Sequence, residues 1–185
     1  VIHTEHGFAM YRISALSMGA TPVKVAEHNR RTNVEAILEA CNEKTKLIFI
    51  ANPNNPTGTM VNSECIEKLV DSVPKRALVV LDGAYAEYIE NFDAGAKYVD
   101  SKENVFMLRT FSKIFGLGSL RVGWGYGSTH VINALLRVKP PFNVSTPAQE
   151  AAQAALQDIE HIDKCRVQNE SWRNWLSSKL CDIGL

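Results

Sequence analysis

The 185-residue chain predicts an α/β fold, with a mostly parallel sheet flanked by helices and a long helix at its end. Three observations point there. Short apolar runs alternate with stretches whose apolar residues recur at helical spacing, the pattern of crossover units around a parallel sheet. Most of these runs are apolar on both faces, as expected for strands covered by helices on each side. Beyond residue 128 the runs stop and only helical patterns remain.

The chain opens at Val1 inside what reads as a strand, and "PVKV" (22–25) supplies the next. A helix is expected over "NVEAILEACNEK" (33–44), where the Asn33 side chain can accept from an unpaired amide of the first turn. The strand "KLIFIAN" (46–52) follows. A second helix, "NSECIEKLVDSV" (62–73), starts behind Asn62 in the same way. Strands are then expected at "ALVVLD" (77–82), "VFMLRT" (105–110) and "RVGWGYG" (121–127). Ser128 is placed to cap "THVINALLRVK", and "PPFNVSTPAQE" interrupts the chain. Thr146 with Pro147 in the first turn then opens a helix running to the low 180s. The chain thus divides into a sheet-bearing core over 1–145 and a helix over 146–185, suited to lead into a C-terminal small domain mostly absent from these residues. A first residue other than methionine and the abrupt end at "CDIGL" lead us to expect a piece of a longer protein.

Composition removes several classes of function. Twenty Lys and Arg balance twenty Asp and Glu, which leaves no field to attract a nucleic-acid backbone or an anionic membrane. Neither is expected as a partner. Cys41, Cys65, Cys165 and Cys181 lie far apart and match neither a zinc pattern nor a disulfide scaffold, so reduced thiols in a cytoplasmic protein are expected. No apolar run approaches the roughly 20 residues of a membrane span, and "VIHTEHGF" lacks a basic stretch followed by an apolar one. His3, His6, His28, His130 and His161 show no metal-ligand spacing, so no metal is expected. Trp172 and Trp175 read as packing residues of the last helix, and "HNRR" (28–31) as a solvated loop.

In open α/β sheets ligands bind outside the carboxyl ends of the strands, and three of those ends are rich in polar groups: "NPNNPTG" (52–58), "DGAYAEY" (82–88) and "RTFSK" (109–113). Asp82 at the end of an apolar strand needs a cationic or hydrogen-bonding partner. Taken on its own, Asp82 is better explained by a turn or helix cap. Asn55 in "NPNNPTG" fits a tight turn, and Tyr85 fits a core tyrosine with a backbone partner. Lys113 is more telling. It follows Thr110 and Ser112 and precedes a glycine-rich run containing Arg121, within a segment dominated by Phe, Leu, Val and Trp. Apolar surroundings near a second cation are the setting of a nucleophilic lysine; an exposed lysine at a helix edge is the plain alternative.

Read together and in order, "NNPTG", "DGAY", "TFSK" and an arginine eight residues past the lysine resemble the fold-type I, pyridoxal-phosphate-dependent aminotransferases of class I and II. Within them the sequence is most similar to the histidinol-phosphate aminotransferase branch, and "GFAMYRISALSMGATPVKV" extends the likeness over nearly the whole chain. The resemblance implies the large cofactor-binding domain of that fold over 1–145, pyridoxal 5′-phosphate as cofactor, and a homodimer whose partner completes the site. It implies that Lys113 joins the cofactor's aldehyde covalently and later moves the substrate's α-proton. Asp82 would keep the pyridine nitrogen protonated. Asn55 and Tyr85 would hydrogen-bond the phenolic oxygen, and Phe8 would stack on the ring. Thr110, Ser112 and Arg121 would hold the phosphate, and the glycines beside Lys113 would let the backbone pass close to the cofactor.

Some positions depart from the family. Gly83 stands where many relatives carry an acid, and Ser119 where Gly or Ala is usual. The glycine-led phosphate loop and the carboxylate-binding arginine of the family have no counterpart here. The resemblance implies transamination in histidine biosynthesis, moving an amino group from glutamate to a keto substrate such as imidazole-acetol phosphate. A decarboxylase of a phosphorylated amino acid, an aromatic aminotransferase and a non-catalytic cofactor-binding regulatory module carry the same motifs. An isolated structural core without activity of its own is a further alternative.

Overall fold

The computed structural model describes residues 1–185. Six strands form one sheet: β1 (Ile2–Thr4), β2 (Val23–Val25), β3 (Leu47–Ala51), β4 (Leu78–Asp82), β5 (Val105–Thr110) and β6 (Gly123–Gly127), in the spatial order β2-β1-β3-β4-β5-β6. The first five are parallel, and β6 runs antiparallel to β5. Helices α1 (Ala9–Ser17), α2 (Val34–Ala40), α3 (Ser63–Ser72), α4 (Ala96–Ser101), α5 (Thr129–Val138), α6 (Thr146–Gln157) and α7 (Ile159–Asp182) complete the chain.

The predicted α/β class is what the chain adopts, and the two asparagine caps act as expected. Asn33 accepts from the Ala36 amide at 3.1 Å and Asn62 from the Cys65 amide at 2.9 Å. Ile48, Ile50, Val79 and Val105 on the central strands are fully buried, together with Ile37 of α2 and Leu69 of α3. At roughly 1.5–3 kcal/mol for each such side chain, this apolar layer anchors the strand ends that carry the polar groups. A second, smaller cluster of Phe111, Val122, Ala148 and Ala152 packs α6 beneath the segment that contains Lys113.

The sheet is mostly parallel as expected, with β6 antiparallel to β5: residues 111–122 between them hold a single 3-10 turn (Gly118–Leu120), without the helix that a parallel return usually uses. Gly125 and Gly127 face the Phe106 ring so closely that a Cβ on either would overlap it. Several finer expectations need correction. α2 ends at Ala40, four residues early. The long terminal helix is two helices: the chain breaks at Asp158, whose carboxylate accepts from the His161 amide at 3.0 Å and so starts α7 afresh. α6 is capped by Ser145 instead of Thr146, through the Ala148 amide at 3.3 Å. Ser128 precedes α5 without capping it, its hydroxyl donating to the Glu103 carbonyl at 3.0 Å. Trp172 and Trp175 stack edge-to-face on each other and remain exposed, where packing was expected. No helix is long and apolar enough to cross a membrane.

Candidate functional site

β1 lies between β2 and β3, so the connections leaving β1 and β2 carry the chain first to one side and then to the other. That is a topological switch point, where open α/β sheets form a crevice at the strands' carboxyl ends. The loop after β1 brings Phe8 there, the loop after β3 brings Asn55, β4 ends on Asp82, and β5 ends on Thr110. Strand register puts Ala51, Asp82 and Leu108 side by side. The four sequence segments, separated by up to 102 positions (Phe8 to Thr110), therefore meet at the carboxyl ends of adjacent strands.

Asp82 forms the floor. Its Oδ1 accepts from the Ala84 amide at 3.0 Å and its Oδ2 from the Tyr11 hydroxyl at 2.6 Å, so the carboxylate is fixed at both oxygens. The turn role considered for Asp82 is thus real, and it accounts for one oxygen only. Tyr11, from the first turn of α1, is buried at 6 % exposure. Its ring lies flat on Phe49 with centroids 4.7 Å apart, and meets Phe8 edge-on at 5.7 Å. Burial, reinforced by the neighbouring Asp82 carboxylate, holds the Tyr11 hydroxyl far above the usual phenol range. Sequence reasoning missed Tyr11. Its signal was its spacing, one helical turn past Phe8 on the face that also buries Ala15.

Asn55 and Tyr85 meet as expected, the Asn55 amide donating to the Tyr85 hydroxyl at 3.1 Å. Because Tyr85 accepts that bond, its own proton is left to donate into the cleft. Lys113 differs from expectation. It is exposed at the cleft mouth instead of enclosed by apolar groups, with its Nζ 5.2 Å from the centroid of the Tyr85 ring. One hollow is lined by Phe8, Tyr11, Asn55, Asp82, Tyr85 and Lys113. It adjoins a wider cleft that shares Phe8, Asp82 and Lys113 and adds Thr110, Ser112 and Arg121. All eight residues selected from sequence therefore line this continuous space.

The rim is looser. Thr110 Oγ1 accepts from the Ser112 amide at 3.0 Å, leaving the hydroxyl proton free to donate. Arg121 is exposed and adopts a left-handed φ of 55°. Its Nη1 donates to the Gly118 carbonyl at 2.6 Å and lies 3.5 Å from Ser112 Oγ. Its Nε and Nη2 make no hydrogen bond within the protein, and the residue lines the wider cleft. Two hydroxyls and a guanidinium suit an anion with several oxygens.

The surroundings brace these groups. Arg109 donates from Nε and Nη2 to Glu87 Oε1 at 2.9 and 2.8 Å, a pair largely withdrawn from solvent that sequence reasoning left unassigned. Arg166 of α7 donates to the Glu87 carbonyl at 3.1 Å, and His161 bonds through Nε2 to the Ile114 carbonyl at 3.2 Å. α7 is thereby tied to the segment after β4 and to the loop that carries Lys113. His6 bonds Glu27 at 2.8 Å and turns away from the site as a loop residue.

An amine, a fixed carboxylate, a flat aromatic ring and an open rim of hydroxyls and guanidinium meet at the switch point of an α/β sheet, the place where that class of fold holds its ligands. The family model for aminotransferases of class I and II matches residues 1–184, and the chain belongs to that family. It is 58 % identical over its full length to the histidinol-phosphate aminotransferase of Dinoroseobacter shibae, and 56 % identical to that of Ruegeria sp. strain TM1040. In both cases it spans 51 % of the relative, so the chain covers about half the length of the curated relatives it matches. The crystal structure of histidinol-phosphate aminotransferase from Sinorhizobium meliloti in complex with pyridoxal-5′-phosphate superposes with a TM-score of 0.94 at 28 % identity. That match covers 100 % of this chain and 51 % of the other.

Proposed function

We propose that these residues form the cofactor-binding core of a pyridoxal-phosphate-dependent histidinol-phosphate aminotransferase, exchanging an amino group between glutamate and imidazole-acetol phosphate. The observation that carries this reading is the convergence of Lys113, Asp82 and the Asn55–Tyr85 pair on one hollow at the carboxyl ends of β3, β4 and β5. The curated relatives at 58 % and 56 % identity support the choice of substrate.

The donor set fits the cofactor. The anion rim of Thr110, Ser112 and Arg121 accepts its phosphate, Phe8 offers a ring face, and the Tyr85 hydroxyl and Asn55 amide suit a phenolic oxygen. When bound, pyridoxal phosphate supplies an aldehyde that carries the amino group and a ring that takes up electrons released at the substrate's α-carbon. Asp82 would face the ring nitrogen and favour its protonated form, and its two internal hydrogen bonds keep the carboxylate aimed. Lys113 Nζ would hold the cofactor covalently and would serve as the base toward the substrate's α-carbon proton. Its exposed position at the cleft mouth lets one amine serve both duties. Tyr85 and Asn55 stabilise negative charge on the phenolic oxygen.

In the same reading residues 1–145 are the large-domain core, 146–185 lead toward a small domain, and the working protein is a cytoplasmic homodimer. The test is the visible absorption of the chain with added pyridoxal phosphate, before and after borohydride. The expected result is a band that borohydride removes while fixing the cofactor to Lys113, located by peptide mass. Absence of both band and adduct in the wild-type chain, with an intact fold, counts against the reading.

A further inference from the structure

We infer that Tyr11 is a positioning residue for the cofactor: its hydroxyl orients the Asp82 carboxylate and limits that carboxylate's freedom to turn. The inference rests on the functional reading above and deepens it, because Asp82 is the group assigned to the ring nitrogen.

The geometry carries it. Tyr11 reaches Asp82 across 71 positions of sequence with a 2.6 Å hydrogen bond, short enough for a phenol donating to a charged oxygen. The ring cannot swing away. Phe49 stacks beneath it at 4.7 Å with an interplanar angle of 11°, and Phe8 abuts its edge. The opposite oxygen of Asp82 is held by the Ala84 amide. Two bonds on two oxygens set the plane of the carboxylate, and the lone pairs left over are the ones available to the hollow. Burial keeps Tyr11 as a neutral donor far beyond the ordinary phenol range. It therefore remains a donor through the neutral pH range. α1 also carries Phe8 at its N-terminal boundary, so one helix end positions both the ring-stacking residue and the donor that aims Asp82.

Tyr11→Phe is the discriminating variant because it keeps the stack on Phe49 and the edge contact with Phe8 while deleting only the hydroxyl. Pyridoxal phosphate binding is measured by absorbance titration for the wild-type chain, Tyr11→Phe, Asp82→Asn and the double variant. The pH midpoint of the visible band is followed in the wild-type and Tyr11→Phe chains. The expected result is about a tenfold weaker affinity for Tyr11→Phe in the wild-type background, a midpoint moved by about half a pH unit or more, and close to no further loss from Tyr11→Phe once Asp82 is Asn. Equal losses in both backgrounds overturn the inference, since Tyr11 would then act independently of Asp82. So does a Tyr11→Phe chain that binds as wild type with an unmoved midpoint. A folded wild-type chain that takes up no pyridoxal phosphate overturns the functional reading and the inference with it, an outcome separable from the other two.

Discussion

Asp82 and Arg121 face the same cleft, yet their surroundings differ. Asp82 has both oxygens bonded within the protein, by Tyr11 and Ala84, and its neighbours are buried side chains of the central sheet. Arg121 gives one nitrogen to the Gly118 carbonyl and is otherwise exposed, on a residue with left-handed backbone. The floor of the site is therefore set before any ligand arrives, while the rim keeps donors in reserve. A group that must stabilise charge developing during reaction gains from being held in advance, because nothing has to reorganise. A group that must capture an anion from solution gains from being reachable.

The largest break between the two regions comes from removing the residue that joins them. Lys113→Ala is expected to reduce borohydride-fixed cofactor to background, read by peptide mass, and to slow turnover of histidinol phosphate by about 10⁴-fold. Asp82→Asn follows. It keeps the bonds from Ala84 and its approximate shape but loses the charge, and the expectation is turnover slower by about 10³-fold with cofactor still bound. Loss of binding alone, with normal turnover at saturating cofactor, would place Asp82 with the rim.

Arg121→Ala tests the rim itself. Affinity for pyridoxal phosphate is expected to fall by about 10–100-fold, the cost of a lost hydrogen bond to a charged group. Affinity for pyridoxal, which lacks the phosphate, should stay as in wild type. Because the guanidinium is exposed, the wild-type advantage for the phosphorylated compound should shrink as salt rises. Equal weakening of both compounds would mean that Arg121 supports the backbone around Gly118 instead of binding the anion.

The same contrast explains what could be read from sequence. Continuous apolar runs announced the buried strands, and the polar residues just past them, Asn55, Asp82, Thr110 and Lys113, announced the site, because strand ends are where a sheet meets solvent. Asn33 and Asn62 were readable as caps because a cap acts within four residues. Tyr11 and the Arg109–Glu87 pair were not, since each depends on contacts between elements that pattern alone does not bring together. The break at Asp158 escaped for a related reason. Local spacing continues through it, and only the Asp158 carboxylate starts the helix afresh. The exposure of Lys113 was likewise set by how its loop sits on the sheet, and its apolar neighbours in sequence, such as Phe111 and Ile114, turn inward.

The smallest effect sharpens the floor without any ligand. Burial first, and Asp82 second, raise the Tyr11 pKa above its ordinary value of 10.0. Below pH 10 both folded and unfolded chains keep the phenol protonated, and the stabilisation is present in full. Above pH 10 the unfolded chain releases a proton that the folded chain retains, so unfolding becomes easier as pH rises toward the folded-state value. The slope from this one group is about 1.4 kcal/mol per pH unit. Tyr88 is also shifted upward, chiefly by burial, so the informative quantity is the difference between wild type and Tyr11→Phe in urea unfolding from pH 9 to 11. That difference should diverge with the stated sign above pH 10 and stay flat below it. Asp82→Asn should leave the slope in place over this range, because burial outweighs the carboxylate as the cause of the shift. A slope abolished by Asp82→Asn would instead make the hydrogen bond, and not the apolar bed of Phe49 and Phe8, the main reason that the Tyr11 hydroxyl stays neutral.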